Sequence, residues 1–380
     1  MIQLIRYELE NLLKRKWTIV ALVIIAIFIL MPSFIECRTI KNDFGNLENY
    51  KTMSKGYHGI SMEEAKRRFD TAYKKNEAIN KKETTMELTM EEKIALKNFS
   101  YTSKSKKYVI NDEKLNHEEI KEKLIQLKGE NLQDSYEYKN LEKADSMISK
   151  LDKENYRYTA GWDYITDFNV GATLTVILLV VGLASIFSND YNSNTSQIIL
   201  STKEGKRKGV TAKIIAGIIY GSLTFIFVNG MNFLSGSTLG IDGWNVKATA
   251  LYGVTGTPFN FTVIEYYFLT LGVVFVGTIL FALSIMLCSL LFKNIIPTIF
   301  IGLALYFVSP EAIGLNCLQT LSNMSLATII RGKHIFGTYI TFNIFGTPVM
   351  QYMVIGIVAM IILLTTTVLL KYFGKTQTIA

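Results

Sequence analysis

The sequence predicts an all-α polytopic membrane protein with six transmembrane helices, both termini cytoplasmic, and a helical extracellular domain between the first two spans. Three observations predict it. The 380 residues are 49 % hydrophobic and only 19 % charged, and the apolar ones gather in blocks: Thr18 to Ile35, Val170 to Phe187, Val210 to Leu234, Val263 to Phe292, Ile295 to Val308 and Val349 to Leu370. Most of these blocks are long enough to cross a hydrocarbon core of about 30 Å at about 1.5 Å per residue. The charge is partitioned too: 25 basic and 25 acidic residues cancel between Glu36 and Asp167, so the ends of the apolar blocks carry the net +8. A soluble enzyme, a nucleic-acid surface and a transmembrane barrel of alternating strands are thereby excluded.

Taken in order, residues 1–16 place Ile2, Ile5, Leu9, Leu12 and Leu13 near helical spacing, which predicts an amphipathic helix in the inner interface. The first span is assigned to 17–36. Its basic lead Lys14, Arg15 and Lys16 resembles a secretory signal, but no small-residue cleavage site follows, so it reads as an uncleaved anchor. Residues 37–167 are polar yet patterned. Ser61 with Glu64 and Thr89 with Glu92 have capping-box spacing, and helices are predicted from Met62 towards Ala78, Met90 towards Asn98, His117 to Lys128 and Ser135 to Lys153. The apolar stripe Tyr138, Leu141, Ala144, Met147, Ile148 and Leu151 needs a partner surface, so this insertion is a folded domain.

The second span is placed at 168–187, a cytoplasmic segment at 188–209, the third span at 210–234 and an outer loop at 235–262. The fourth span follows at 263–292 and a short fifth at 294–310. Next come a partly re-entrant outer segment at 311–346, the sixth span at 347–371 and a cytoplasmic tail at 372–380. Orientation follows from the basic residues. Arg6, Lys14 to Lys16, Lys203, Lys206 to Lys208, Lys213, Lys293, Lys371 and Lys375 share one face against Lys247, Arg331 and Lys333 opposite, and the richer face is the cytoplasm.

Catalysis has no visible home. His58, His117 and His334 stand singly, without zinc-ligand spacing, and Cys37, Cys288 and Cys317 form no motif, though Cys37 and Cys317 both fall on the outer side. Gly374, Lys375 and Thr376 lack the upstream glycine of a phosphate-binding loop, so ATP-driven work needs another polypeptide. Polar groups in the spans are few. Glu265 sits near the outer end of the fourth span, where an interfacial role outweighs a substrate contact. Asn229 and Asn232 share a face of the third span, suited to interhelical hydrogen bonds or to lining a translocation path, and Gly217 and Gly221 allow close helix approach.

The segment from Phe187 to Gly217 combines a carboxylate, small polar residues, an apolar triplet and a basic cluster. In Asp190, Tyr191, Thr195, Ile198, Ile199, Leu200, Thr202, Arg207 and Lys213 it resembles, in order and spacing, the loop between spans two and three of the permease subunits of ABC type-2 transporters. Asn194 stands where that family usually has glycine, and Lys203 where proline is common. The resemblance covers most of the membrane portion. It implies a non-enzymatic transport subunit in a bacterial plasma membrane that itself binds no cofactor. Its partners would be cytoplasmic ATPase subunits holding ATP and Mg²⁺, contacted by the segment around Asp190 to Leu200, and a second permease, identical or paralogous. Export is the implied direction, with amphipathic antimicrobial or toxin-like peptides the preferred cargo and sodium, lipids or drugs the alternatives. A reading of another class is a membrane-anchored sensor or adhesion protein acting through its outer domain.

Overall fold

The computed structural model describes residues 1–82, 86–99, 108–111, 113–151, 156–192, 208–251, 254, 256–308 and 319–376. Among them, five helices are long and apolar enough to cross a membrane: Lys16–Phe44, Ala160–Asp190 taken with its short breaks, Val210–Ser237, Val263–Phe292 and Gln351–Thr376. We refer to these as the first, second, third, fourth and last spans. A sixth apolar helix, Ile295–Phe307, has only 13 residues. At about 1.5 Å per residue it reaches about 20 Å, short of the hydrocarbon core.

The bundle packs around the fourth span, which touches the second, third and last. Glycines set two of these approaches. A Cβ on Gly217 would lie 2.3 Å from Met286 Sδ, and one on Gly221 would lie 3.4 Å from the Cβ of Ala282, so the glycine pair of the third span is where the fourth docks. Ala172, Val176, Leu179, Leu183, Phe281, Ile285 and Met286 fill the layer between, all buried. The fourth span starts with a complete capping box. Glu265 N–H donates to Thr262 Oγ1 at 3.3 Å, and Glu265 Oε2 accepts from Thr262 N–H at 2.8 Å. Thr262→Ala is expected to cost about 1 kcal/mol, read as a lower thermal midpoint of the detergent-solubilised chain; an unchanged midpoint would remove the cap from the stability account.

The first span departs from its predicted boundary. Its helix runs unbroken from Lys16 to Phe44, past the expected end at residue 36, because nothing in Cys37–Asp43 breaks a helix and Gly45, at φ +81°, provides the stop. The membrane helix therefore continues into the insertion. One lobe of the insertion forms there: Ile40, Phe44, Tyr50, Ile94 and Tyr158 bury one another against Leu239 at the far end of the third span. Its helices begin at the expected caps, Met62–Asn80 after Ser61 and Met90–Asn98 after the Thr89 and Glu92 box.

The other lobe contains helices His117–Gly129 and Tyr136–Ile148. It also holds an antiparallel pair of short strands, Tyr108–Ile110 and Glu113–Leu115, so the insertion is not purely helical. The partner surface required by the stripe Leu141, Ala144 and Ile148 comprises Ile120, Leu127, Phe259, Tyr339 and Met350. The stretch expected to be partly re-entrant, with short helices packed on the spans, also contains strands. After short helices Leu326–Arg331 and Lys333–Gly337, the chain forms a hairpin of Thr341–Ile344 with Thr347–Met350, and the last span begins at Gln351 instead of 347. Phe345 and Gly346 turn that hairpin at φ +50° and +77°, a left-handed pair that a phenylalanine does not advertise.

A polar clasp fastens this hairpin to the second lobe. Thr341 N–H donates to Asn111 Oδ1 at 2.8 Å, Thr341 Oγ1 donates to Asn140 Oδ1 at 2.6 Å, and Asn111 N–H donates to the Tyr339 carbonyl at 2.8 Å.

Candidate functional site

At the bundle end where helix Ile2–Leu13 packs against the last turns of the last span, three helices meet at one ammonium group. Lys213, on the first turn of the third span, is only 5 % exposed. Its Nζ donates to Asp190 Oδ2 at 2.7 Å and to the Ile186 carbonyl at 2.6 Å, both on the second span, and lies 3.8 Å from Glu8 Oε1 on helix Ile2–Leu13. The Phe187 ring covers it at 5.5 Å. An ammonium buried this deeply is tolerable only when acceptors surround it, and here a carboxylate and a carbonyl do so directly.

The local sequence explains the convergence. Helix Ile2–Leu13 buries Leu12 with Phe187, Val210 and Leu370, so it packs on the bundle and presents Glu8 inward. Burial pushes the Glu8 carboxyl above the ordinary carboxylate range, and Lys213 pulls it part of the way back. Gly374 on the last span completes the layer: a Cβ there would sit 2.6 Å from Val210 Cγ1. Arg15 reaches the same level of the second span, donating to the Gly182 carbonyl at 3.2 Å and to Ser185 Oγ.

Of the residues singled out from sequence, Asp190 and Lys213 are thus brought into direct contact across 23 positions. The helix Ser188–Asn192 includes the backbone of Tyr191. Asn194, Thr195, Ile198, Ile199, Leu200 and Arg207 lie outside the described residues, as does Cys317.

The three candidate path residues are not gathered. Asn229 turns back on its own helix, donating from Nδ2 to the Phe225 carbonyl at 3.0 Å. Asn232 faces the second span, where a Cβ on Gly171 would meet its Nδ2 at 2.7 Å; that buried amide nitrogen has no hydrogen-bond partner among the described residues. Glu265 is an exposed helix cap, and the Thr-x-x-Glu spacing from Thr262 was the signal for it.

Sequence reasoning missed a charged residue packed against the bundle. Arg331, counted above as an outer-loop charge, ends the short helix Leu326–Arg331, and that helix lies against the middle of the fourth span. A Cβ on Gly277 would be 2.7 Å from the Ile330 Cα. The Arg331 guanidinium stacks over the Tyr306 ring at 4.8 Å. At the other end, where the insertion is rooted, a cavity of about 200 Å³ is lined by Glu36, Tyr50, Lys97, Tyr158 and Tyr164. Its Lys97 and Glu36 pair at 2.5 Å.

His58 accepts the Tyr158 backbone N–H, and His117 pairs with Asp145 at 2.7 Å. Among the described residues, no group of three His, Cys, Asp or Glu is placed to hold a metal ion. Comparison with protein-family models, curated proteins and solved structures returned no match.

Proposed function

We propose that this chain is the transmembrane permease subunit of an ATP-driven ABC exporter that moves amphipathic, antimicrobial or toxin-like peptides outward, for export or immunity. The observation that carries the reading is the convergence on Lys213. The helices entering and leaving the segment 193–207 are tied by one ammonium, and helix Ile2–Leu13 is held to the same point through Glu8. A push transmitted to either flanking helix reaches three helices together.

In this reading the termini are cytoplasmic, Ile295–Phe307 is the short fifth of six crossings, and the insertion lies outside the cell. ATP and Mg²⁺ bind a separate cytoplasmic ATPase, whose closure acts through this stretch of the chain and tilts the second and third spans. A second permease, identical or paralogous, completes the path. Sodium, lipids and drugs are alternative cargoes of the same class. The folded cores of the insertion favour one reading of another class, a membrane-anchored sensor or adhesion protein.

The test is biochemical. A partner ATPase should co-purify with the full chain and show activity that responds to it. Ile199→Asp, a charge placed in the apolar triplet, should reduce that activity to the level of the ATPase alone while the insertion stays folded. Wild-type stimulation by the variant would remove the assigned contact, and failure of any ATPase to associate would favour the sensor reading.

A further inference from the structure

We propose that the cavity at the root of the insertion is a binding site for an organic cation, an ammonium or guanidinium group on a short alkyl stem, and that Lys97 is its built-in competitor. Four elements build the place. Glu36 comes from the first span, Tyr50 from helix Leu47–Lys55, Lys97 from the last turn of Met90–Asn98, and Asp163 and Tyr164 from helix Ala160–Ile165, which opens the second span. Tyr158, just before that helix, belongs to the same wall. The volume of about 200 Å³ is below the roughly 300–1,000 Å³ of a site for a drug-sized molecule, and it suits one side chain or a small amine.

The lining is suited to a donor. Tyr50 Oη donates to Asn98 Oδ1 at 2.5 Å and Tyr158 Oη donates to the Leu239 carbonyl at 2.8 Å, so neither phenol has a proton left for a ligand. The same bonds hold the two rings, which meet edge to face with centres 5.9 Å apart. Burial pushes the Tyr50 phenol above its ordinary range, and Glu36 and Asp163 push it the same way, so both carboxylates act at one ring. Fixed aromatic faces beside carboxylates are the surroundings in which an organic cation is held. Arg157, the other basic residue of the lining, is exposed and leaves its charge in water.

The chain already places an ammonium there. Lys97 Nζ lies 5.9 Å from the centre of the Tyr50 ring and 2.5 Å from Glu36 Oε1, and the two side chains of this pair are only 23 % and 25 % exposed. That ammonium rides on a flexible four-carbon stem, so it can swing out and surrender the carboxylate and the ring to a ligand of the same chemistry. Removing Lys97 leaves the Glu36 carboxylate sheltered without this partner, a state that favours uptake of an external cation. The ligand is either a free amine or a basic side chain of a peptide. The inference does not rest on the transport reading.

The experiment is a calorimetric titration of the purified full chain in detergent with n-butylammonium, Nα-acetyl-lysine methylamide and, as an anion of matching size, butyrate. Both cations should bind and butyrate should not. Lys97→Gln should tighten butylammonium by about tenfold, because the competitor no longer holds the site closed. Adding Glu36→Gln to Lys97→Gln should undo that gain. A purely structural ion pair predicts otherwise, since its loss would loosen the cavity and create no affinity. If Lys97→Gln does not fold, Asp163→Asn replaces it as the variant expected to weaken butylammonium several-fold. Tighter binding of the lysine derivative than of butylammonium identifies a peptide side chain as the source, and the reverse order a free amine; either result supports the site. Equal binding of butylammonium and butyrate would overturn the proposal. So would unchanged or weaker binding of butylammonium to Lys97→Gln, or unchanged binding to Asp163→Asn where that variant is used.

Discussion

Gly161→Ala is expected to be the most damaging single-methyl change in this protein. At Gly161 the second span begins against the end of the third, and an added Cβ would lie 1.8 Å from the Gly240 carbonyl oxygen and 2.7 Å from that of Gly236. Both obstacles are backbone, so no side chain can rotate away. The neighbours are fixed as well: Tyr158 Oη donates to the Leu239 carbonyl at 2.8 Å, and Trp162 Nε1 donates to the Ile241 carbonyl at 3.0 Å. Relief requires the two helices to part, at the upper end of the about 1–3 kcal/mol typical of overpacking. The check is the thermal midpoint in detergent beside Gly230→Ala, where nothing lies within 4 Å of the new methyl. Gly230→Ala should be neutral or stabilising, by up to about 1 kcal/mol. Equal midpoints for the two variants would refute the crossing described here.

The second large effect is expected at Lys213. Lys213→Met keeps the length of the side chain but leaves Asp190 facing Glu8 without the cation, and leaves the Ile186 carbonyl without its donor. Breaking a buried pair from one side costs about 3–5 kcal/mol, and the partial exposure of Asp190 places this case near the lower figure. Asp190→Asn should cost less, because Lys213 keeps the carbonyl and Glu8. The exchange Asp190→Lys with Lys213→Asp should recover only part of the loss, since an aspartate cannot donate to Ile186. Thermal midpoints of the four proteins decide it, and a full recovery by the exchange would mean that the carbonyl contact is idle.

These two positions also mark what was legible in the sequence. The spans could be read because a hydrocarbon core demands long apolar windows whatever their packing. The starts of Met62–Asn80 and Met90–Asn98 could be read because Ser61 and Thr89 satisfy helix amides locally. The pairing of Asp190 with Lys213 is suggested by their places at the two ends of one connection, but the third participant, Glu8, is set by how helix Ile2–Leu13 packs. Three features were beyond local reading. Phe345 adopts a left-handed turn that residue type argues against, so the strand pair around it was not read. Arg331 looked like a loop charge because the packing of its helix depends on Gly277, more than fifty positions earlier. The first span was ended at the first cluster of charge, although charge alone does not stop a helix.

The helix from Lys16 to Phe44 makes the first crossing and the body beyond it one lever, with Pro32, which has no N–H to give the ladder, as its interior bending point. At about 1.5 Å per residue the lever is about 44 Å long, so a 10° tilt about its inner end would swing the far end by about 8 Å. The opposite lobe grips the hairpin that leads directly into the last crossing, so the same swing would pull there too. An antibody fragment that froze the two lobes would therefore brake both crossings from outside the bilayer without touching either.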